Sequence, residues 1–365
     1  MLRSILRSLS IYPPSRFMSL PKPTLRSIHD VALQVRFPAE WEPHERTFMA
    51  WPASRHWEDY LGPVRKDIAT LAQAIAKYEP VVVLTRPTQV DSARKALGSS
   101  SSIQIVPIPV DDLWTRDTTP VYIKGPQGVT GVDLNFNGWG KKQKNPNDYK
   151  LARALLKQFD LPRIKAPFVS EGGAIETDGL GTLLITESSI VNDNRNPNKT
   201  RDQLEQELMT TLGVKKVIWF KGLRGKDITD SHVDCVARFL APGVVVVSQP
   251  FRTKNGDDWT RQYDEAMKIL QTATDARGKS LKIVQIPEPN PDTYDLGEEG
   301  CPSYVNFYIA NGAVFVPRFG DEVADKKAQD VLAEHFPGRD IVALDISTIA
   351  SGGGGIHCST HDQPK

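Results

Sequence analysis

Apolar residues occur along this chain in two patterns, short continuous runs and helical spacing, which together predict a mixed α/β fold. Continuous runs predict buried strands at residues 45–51, 81–85, 103–110 and 341–346. Apolar residues three and four positions apart predict a helix over residues 64–78.

A unit of strand, glycine turn and strand recurs four times after residue 120. The turns fall at Gly125, Gly179, Gly243 and Gly312, and each is a hairpin signal. Helical patterns follow the hairpins at 148–159, 200–212, 258–272 and 321–336. The turns repeat at intervals of roughly 55 to 70 residues, a length that suits a blade of several strands and a helix.

An acidic residue precedes three of these hairpins at nearly the same offset. Asp117 lies eight residues before Gly125, Glu171 lies eight before Gly179, and Asp234 lies nine before Gly243. Equal offsets in a repeated unit place the three acids at the same end of related strands. If the units surround an axis, the three carboxylates converge on it.

The two ends of the chain supply a fifth unit. The strand that leaves Cys358 would pair with the N-terminal strand around Phe48 and close a ring. We therefore predict a five-bladed, pseudo-symmetric β/α propeller closed by both chain ends, and a single catalytic domain over residues 37–365.

Four consecutive glycines, Gly352–Gly355, lie three residues before Cys358. Without Cβ atoms, this backbone allows close approach of other groups. A flexible C-terminal tail is the alternative, but the apolar run at 341–346 argues for a strand that leads into the glycines. A thiol beside converging N–H groups would have a lowered pKa and act as a nucleophile. Cys358 is therefore the leading catalytic candidate.

Composition restricts the partners. Lys and Arg number 45 against 44 Asp and Glu, a net charge of +1, so nothing predicts a nucleic-acid partner. No apolar run reaches the ~20 residues of a membrane span. Three cysteines without CxxC spacing argue against disulfides or a cysteine zinc site, and Cys235 and Cys301 are interpreted as structural. A small substrate and a cytoplasmic location are expected.

The first 36 residues differ in composition from the rest. Basic and serine residues alternate, and no acid precedes Asp30. This composition is typical of an organellar transit peptide, which would imply a mitochondrial location, or of a disordered extension with Met18 as a second start. Both alternatives place the segment outside the fold.

The converging set contains Asp117, Glu171, His232, Asp234 and Cys358. Three carboxylates around a thiol would repel an ester oxyanion, but they suit a guanidinium, whose N–H donors bind carboxylates in pairs. His232 could serve as general acid and base. Taken singly, each residue has a simpler interpretation. Asp117 could form a surface pair with Arg116, and Glu171 could be a turn residue. His232 and Asp234, which the alternating pattern places on one face of a strand, could bind a metal or lie in the core.

The chain also resembles a known family over residues 37–364. The matching stretches begin at Pro38, Trp114, Phe136, Glu171, Asn194, His232, Tyr304 and Gly352. They resemble those of agmatine deiminases, within the bacterial-type peptidylarginine deiminase family of guanidine-modifying enzymes. That family is similar to enzymes whose fold is a five-bladed β/α propeller.

The resemblance implies a residue for each task. Asp117 and Asp234 would bind the guanidinium, Glu171 would hold it beside His232, and His232 would carry the proton. Cys358 would form an amidino-thioether that water hydrolyses. Agmatine would give N-carbamoylputrescine and ammonia, without a metal or organic cofactor. Family members are often dimers or larger, so a homo-oligomer stays open.

Two features bear on the rest of the substrate. Trp114 could pack on its methylene chain or belong to the core. Ile228 stands where agmatine-specific members tend to have an acid, and Asp230 could replace that acid as partner of the substrate's ammonium. The resemblance therefore implies a deiminase of agmatine, with another guanidine such as arginine or peptidyl arginine, or a non-catalytic guanidine-binding role, as alternatives.

Overall fold

The computed structural model describes residues 35–53, 55–251 and 256–365. Its strands form five small mixed sheets, and each sheet contains an antiparallel pair followed by a parallel strand. Antiparallel pairs need only a tight turn, whereas a parallel strand requires a crossover connection, usually a helix. The sequence pattern of hairpin and helix therefore has a direct structural counterpart.

The first sheet joins both ends of the chain. Its strands are β1 (His44–Ala50), β2 (Val81–Leu84), β3 (Ile103–Val106) and β16 (His361–Pro364), in the order β16-β1-β2-β3. Phe48 of β1 lies opposite His361 of β16 in an antiparallel pair. The predicted pairing of the segment after Cys358 with the strand around Phe48 is confirmed.

Four three-stranded sheets carry the predicted hairpins. Their strands, in chain order, are β4 (Val121–Gly125), β5 (Gly128–Asp133) and β6 (Arg163–Lys165); β7 (Ile175–Thr177), β8 (Thr182–Thr186) and β9 (Lys216–Phe220); β10 (Ala237–Ala241), β11 (Val244–Gln249) and β12 (Lys282–Pro287); and β13 (Tyr308–Ala310), β14 (Ala313–Arg318) and β15 (Asp340–Asp345). The middle strand of each sheet pairs antiparallel with the first and parallel with the third.

Helices connect the middle strand of each unit to its last strand or precede a hairpin. They are α1 (Leu61–Ile75), α2 (Val90–Leu97), α3 (Thr115–Thr118), α4 (Leu151–Gln158), α5 (Glu187–Ile190), α6 (Arg201–Leu212), α7 (Asp258–Thr272), α8 (Glu322–His335) and α9 (Ser347–Ser351). Side-chain caps fix several starts: Thr200 forms a capping box with Gln203, and Asp257 and Asp321 accept backbone N–H bonds.

The predicted helices and strands are present in the structure, and several begin or end a few residues from the predicted positions. The helix expected at 64–78 spans Leu61–Ile75, and the strand expected at 103–110 ends at Val106. The helical pattern at 148–159 is divided into a 3-10 turn, Asp148–Lys150, and α4. Strands β6, β9 and β12 were not predicted.

Each of the five sheets is open: within the described residues, none closes on itself. The α/β class is confirmed, and the propeller arrangement stays a prediction. No helix in the described part of the chain is both long and apolar enough to cross a membrane. The predicted targeting or disordered extension lies almost wholly outside the described residues.

Candidate active site

Each of the three predicted acids lies in or next to a one-turn helix that precedes a hairpin. Asp117 belongs to α3 before β4. Glu171 precedes the 3-10 turn Gly172–Ala174 before β7, and Asp234 lies in the 3-10 turn Val233–Cys235 before β10. The equal offsets in the sequence thus reflect one local structure used three times.

The expectation that His232 and Asp234 share a strand face is wrong. His232 is the extended residue before the turn that contains Asp234, and β10 begins only at Ala237. The turn directs the two side chains to different partners. His232 faces Glu171 and Asp117, whereas Asp234 faces His357 and Cys358.

The His232 ring lies between two carboxylates. Its Nε2 is 3.3 Å from Glu171 Oε2, and its Nδ1 is 3.7 Å from Asp117 Oδ1. Burial lowers the pKa of His232, but Asp117 and Glu171 outweigh it and raise the pKa to about 9. At neutral pH the ring is therefore an imidazolium, the form that can donate a proton.

The Asp117 carboxylate is fixed on both oxygens. The backbone N–H of Gly173 donates to Oδ1 at 2.9 Å, and Trp139 Nε1 donates to Oδ2 at 2.8 Å. Burial raises the pKa of Asp117, while His232 lowers it. Both partners orient the carboxylate toward the centre of the cluster.

Asp234 has one occupied oxygen and one free oxygen. His357 Nδ1 donates to Oδ2 at 2.8 Å, and the Cys358 thiol donates to the same atom at 3.4 Å. Within the described structure, the buried Oδ1 has no hydrogen-bond partner. Buried carboxylate oxygens almost always have partners, so an unpaired one marks a place for a donor from outside the chain.

Gly173 keeps this place open. A Cβ at this residue would lie 2.7 Å from His232 Nδ1, 2.9 Å from Asp117 Oδ1 and 3.0 Å from Asp234 Oδ2. The three groups therefore line one small volume next to the Gly173 backbone. A side chain here would fill the space that the three polar groups share.

The glycine run allows close packing around Cys358. A Cβ at Gly354 would lie 2.4 Å from the Trp114 ring, and one at Gly355 would lie 2.6 Å from Asn306 Oδ1. The Asn306 side chain accepts from the Cys358 backbone N–H at 3.2 Å and donates to its Sγ at 3.2 Å. The C-terminal segment is thus a packed loop, and the alternative of a flexible tail is wrong.

The expected low pKa of the nucleophile is also wrong for the unliganded site. A hydrogen bond with Cys235 lowers the pKa of Cys358, but burial and the Asp234 and Asp117 carboxylates outweigh it and raise the pKa to about 11. Negative charge nearby disfavours a thiolate. The thiol is therefore neutral until a cation enters.

Asp230 is already occupied by internal partners. Arg195 Nη1 donates to Oδ2 and Lys142 Nζ lies near Oδ1, both at 2.8 Å. Arg195 Nε also contacts both Glu171 oxygens, at 2.9 and 3.0 Å. Asp230 thus holds the arginine that holds Glu171. This geometry does not favour Asp230 as a partner of the substrate's ammonium.

Trp114 borders the nucleophile loop. Its ring packs against Gly354, and its centroid lies 6.1 Å from that of Trp57. The side chain is buried but lies next to the backbone that carries Cys358. Both earlier interpretations, a core residue and a wall for the substrate chain, are compatible with this position.

One group of described residues has metal-ligand spacing. The ligand atoms of Asp234, Cys235 and Cys358 lie within 4.8 Å of one another. However, Asn306 Nδ2 donates to the sulfurs of both Cys235 and Cys358, at 3.3 and 3.2 Å. Donor hydrogens that face both sulfurs compete with a metal ion for the sulfur lone pairs and so argue against a metal at this group. His232 is not part of this group.

Sequence reasoning missed several residues that position the site. They are Glu40, Trp139, Arg195, Asn306 and His357. His357 is the most prominent, since its Nδ1 contacts Asp234 and its Nε2 lies 2.9 Å from Glu40 Oε2. All five lie in stretches that carried the family resemblance. Their presence in those stretches was the available signal, and their partners became visible only in three dimensions.

A carboxylate-lined site next to a buried thiol, at the ends of repeated β/α units, is the arrangement expected from the resemblance to guanidine-modifying enzymes. Residues 36–364 match the family model of the Porphyromonas-type peptidyl-arginine deiminases. The chain belongs to this family, and the prediction of that family is confirmed.

Individual relatives agree with this assignment. A putative agmatine deiminase of Legionella pneumophila is 39% identical over 334 residues, covering 90% of this chain and 94% of its own. The agmatine deiminase of Stutzerimonas stutzeri is 38% identical and covers 90% and 95%. The structure of agmatine deiminase from Enterococcus faecalis superposes with a TM-score of 0.84 at 30% identity, over 91% and 96% of the two chains.

Proposed function

We propose that this protein is a hydrolase that converts agmatine and water to N-carbamoylputrescine and ammonia. The observation that carries the proposal is the buried, unpaired Oδ1 of Asp234, which lies in a site shared with Asp117, His232 and Cys358. The relatives named above are agmatine deiminases, and the same reaction suits the charge of this site.

The substrate's guanidinium binds in the volume beside Gly173. Its planar N–H donors reach the free oxygen of Asp234 and the carboxylate of Asp117, which is the paired geometry that guanidinium and carboxylate groups favour. Glu171 keeps His232 next to this plane. Trp114 forms a wall for the methylene chain.

Arrival of the cation activates the thiol. A positive charge beside Cys358 stabilises its thiolate, so the pKa of the thiol falls below its value in the empty site and the thiol releases its proton to solvent. Asn306 donates a hydrogen bond to the sulfur at 3.2 Å. The thiolate attacks the guanidinium carbon and forms a C–S bond, while one C=N electron pair moves to nitrogen.

His232 then handles two protons in turn. As imidazolium it donates a proton to the departing nitrogen, and the C–N bond breaks. Ammonia departs, and an amidino-thioether remains on Cys358. The neutral ring next accepts a proton from water, and the hydroxide adds to the adduct carbon. Collapse of this intermediate breaks the C–S bond, its hydroxyl proton passes to the departing sulfur, and the ureido product leaves with the Cys358 thiol restored.

The architecture suits such a centre. We infer that the five sheets surround an axis as the blades of a β/α propeller, and that residues 37–365 form one domain. Two findings support this arrangement: three acids lie in equivalent turns before three hairpins, and β16 joins β1 across the chain ends.

One observation favours keeping other guanidines as a second candidate. Asp230 is paired with Arg195 and Lys142, so this position offers no free carboxylate for an ammonium group. A peptidyl arginine would not need one, because its α-nitrogen is an uncharged amide.

Ammonia release tests the proposal. The panel is agmatine, arginine, a blocked arginyl peptide and small guanidines, each with the wild-type protein and Cys358→Ala. We expect turnover of agmatine and none in the variant. Turnover of another guanidine alone would keep the chemistry and change the substrate. No turnover across the panel would favour a guanidine-binding protein without catalysis.

A further inference from the structure

Two thiols that sequence analysis treated as unrelated lie side by side. Cys235 Sγ and Cys301 Sγ are 3.3 Å apart, and both residues are half-buried. Cys235 belongs to the turn that carries Asp234, whereas Cys301 belongs to the loop before β13. The contact thus joins segments that are 66 residues apart in the chain.

This thiol pair touches the catalytic residues. Asn306 Nδ2 lies 3.3 Å from Cys235 Sγ and 3.2 Å from Cys358 Sγ. One amide group therefore links the pair to the nucleophile. The hydrogen bond of Cys235 lowers the pKa of Cys358 and so favours its thiolate.

We propose that Cys235 and Cys301 form an oxidation site, at which hydrogen peroxide converts the two thiols to a disulfide, and that this disulfide slows turnover at Cys358. The effect on turnover rests on the proposed function, but the disulfide itself does not. The peroxide first oxidises one thiol to a sulfenic acid and is reduced to water. The second thiol attacks that sulfur, the S–S bond forms, and a second water leaves.

Geometry favours this pair over a disulfide with Cys358. A disulfide requires sulfurs about 2.0 Å apart, so the Cys235–Cys301 pair needs only a small approach from 3.3 Å. Cys301 lies in a loop, which can adjust. Cys358, in contrast, is buried and is held by Asn306 and Asp234. Peroxide also reaches a half-buried thiol more readily than a buried one.

The disulfide changes what the nucleophile contacts. Once oxidised, Cys235 has no S–H and its sulfur moves toward Cys301, which disturbs the Asn306 amide that donates to the sulfurs of both Cys235 and Cys358. Loss of one hydrogen bond to a charged sulfur predicts a fall in kcat/KM of about tenfold. Reduction by dithiothreitol should restore the lost activity.

Peptide mapping separates the possible pairings. Trypsin places the three cysteines in different peptides, residues 227–238, 283–318 and 340–365. The full-length protein is treated with hydrogen peroxide, blocked with an alkylating reagent, digested and analysed by mass spectrometry. Wild type is compared with Cys301→Ser, which removes one partner outside the catalytic cluster, and with Cys358→Ser, which removes the nucleophile.

We expect a cross-link between 227–238 and 283–318 in wild type and in Cys358→Ser. Wild-type activity should fall and recover with dithiothreitol, whereas Cys301→Ser should keep its activity at the same peroxide dose. The proposal is overturned if this cross-link is missing, if it joins 340–365 instead, or if Cys301→Ser is inactivated like wild type. A failure of the proposed function would leave the cross-link in place, so the two failures are distinguishable.

Discussion

The active site and a neighbouring network of ion pairs contain the same kinds of residue. The two regions differ in how completely their charges are paired. The network is centred on Glu40. Arg116 donates to Glu40 at 2.7 Å, Arg238 donates at 3.0 Å, and the N–H of Ile309 donates at 2.8 Å. In the active site, by contrast, Asp234 keeps one oxygen unpaired and Cys358 stays protonated.

The two regions meet at one histidine. His357 lies between Glu40 and Asp234, with 2.9 and 2.8 Å to their oxygens. The pKa of Glu40 is held well below its usual range: burial raises it, but Arg238, His357 and Arg116 outweigh that effect. The Glu40 network, in which the charges are fully paired, thus fixes the orientation of the Asp234 carboxylate, which keeps one oxygen without a partner. On the proposed function, completed pairs support the fold and the substrate supplies the missing donor.

The largest expected effect comes from Asp234→Asn. It should lower kcat/KM for the substrate by about a thousandfold or more, because two hydrogen bonds between charged groups are lost, each worth about 1.5–3 kcal/mol. The free energy of unfolding should fall by about 1–3 kcal/mol, because asparagine keeps the shape of the side chain but removes the charge that pairs with His357. Ammonia release and urea unfolding measure the two quantities. Near wild-type turnover would contradict the role of the free oxygen.

Glu40→Gln should have its main effect on the free energy of unfolding, whereas Asp234→Asn has its main effect on kcat/KM. Removing the charge leaves two buried guanidinium groups without their shared partner, which should cost about 3–5 kcal/mol in the free energy of unfolding. Urea unfolding measures the loss, and Glu45→Gln on the exposed side of β1 is the matched control, with an expected change under about 0.5 kcal/mol. Equal losses of unfolding free energy in the two variants would show that the Glu40 network contributes no more to stability than an exposed glutamate does.

A third prediction concerns pH. Burial lowers the pKa of both His44 and His232, but neighbouring carboxylates raise both to about 9, above the ordinary value of about 6.5 in an unfolded chain. Their stabilising contribution is therefore fully present below pH ~6.5 and is lost as pH rises through about 9. Each histidine should contribute up to about 3 kcal/mol.

Urea unfolding between pH 6.5 and 10 tests this sign. We expect stability to fall across the range in wild type and to fall less in His44→Gln, which lies away from the catalytic cluster. His335→Gln serves as control and should follow the wild-type curve. Stability that rises over this range would refute the assignment of both imidazolium groups.

The smallest expected effect distinguishes the two sides of His357. In His357→Asn, the side-chain amide can still donate toward Asp234 from the position of Nδ1. In His357→Gln, it can still donate toward Glu40 from the position of Nε2. If His357 acts mainly by orienting Asp234, kcat/KM of the Asn variant should exceed that of the Gln variant by about tenfold. The reverse order would assign His357 to the network alone.

Much of the fold was predictable because its signals are local. Hairpin glycines, apolar runs and helix caps depend on neighbours in the chain, and α7 has the bounds that its spacing predicted. Strand β6 is short, and all three of its residues are exposed, so no apolar run marks it. The His232 turn was misread as a strand because an alternating pattern over three residues does not distinguish the two.

The candidate site was predicted in part for the same reason. Repeated offsets indicated Asp117, Glu171 and Asp234, and the glycine run indicated Cys358. The thiol's raised pKa could not be predicted, because it depends on burial and on carboxylates brought from elsewhere in the chain. The pairing of Asp230 with Arg195 likewise requires positions 35 residues apart to meet.

The most direct test of a cation-activated thiol is to trap the covalent intermediate. Wild type and Cys358→Ser are mixed with agmatine, quenched with acid and measured by intact-protein mass spectrometry, followed by peptide mapping. We predict that wild type gains the mass of agmatine less ammonia on residues 340–365, and that Cys358→Ser gains nothing. Ammonia release without any adduct on that peptide, or an adduct in the serine variant, would contradict attack by Cys358.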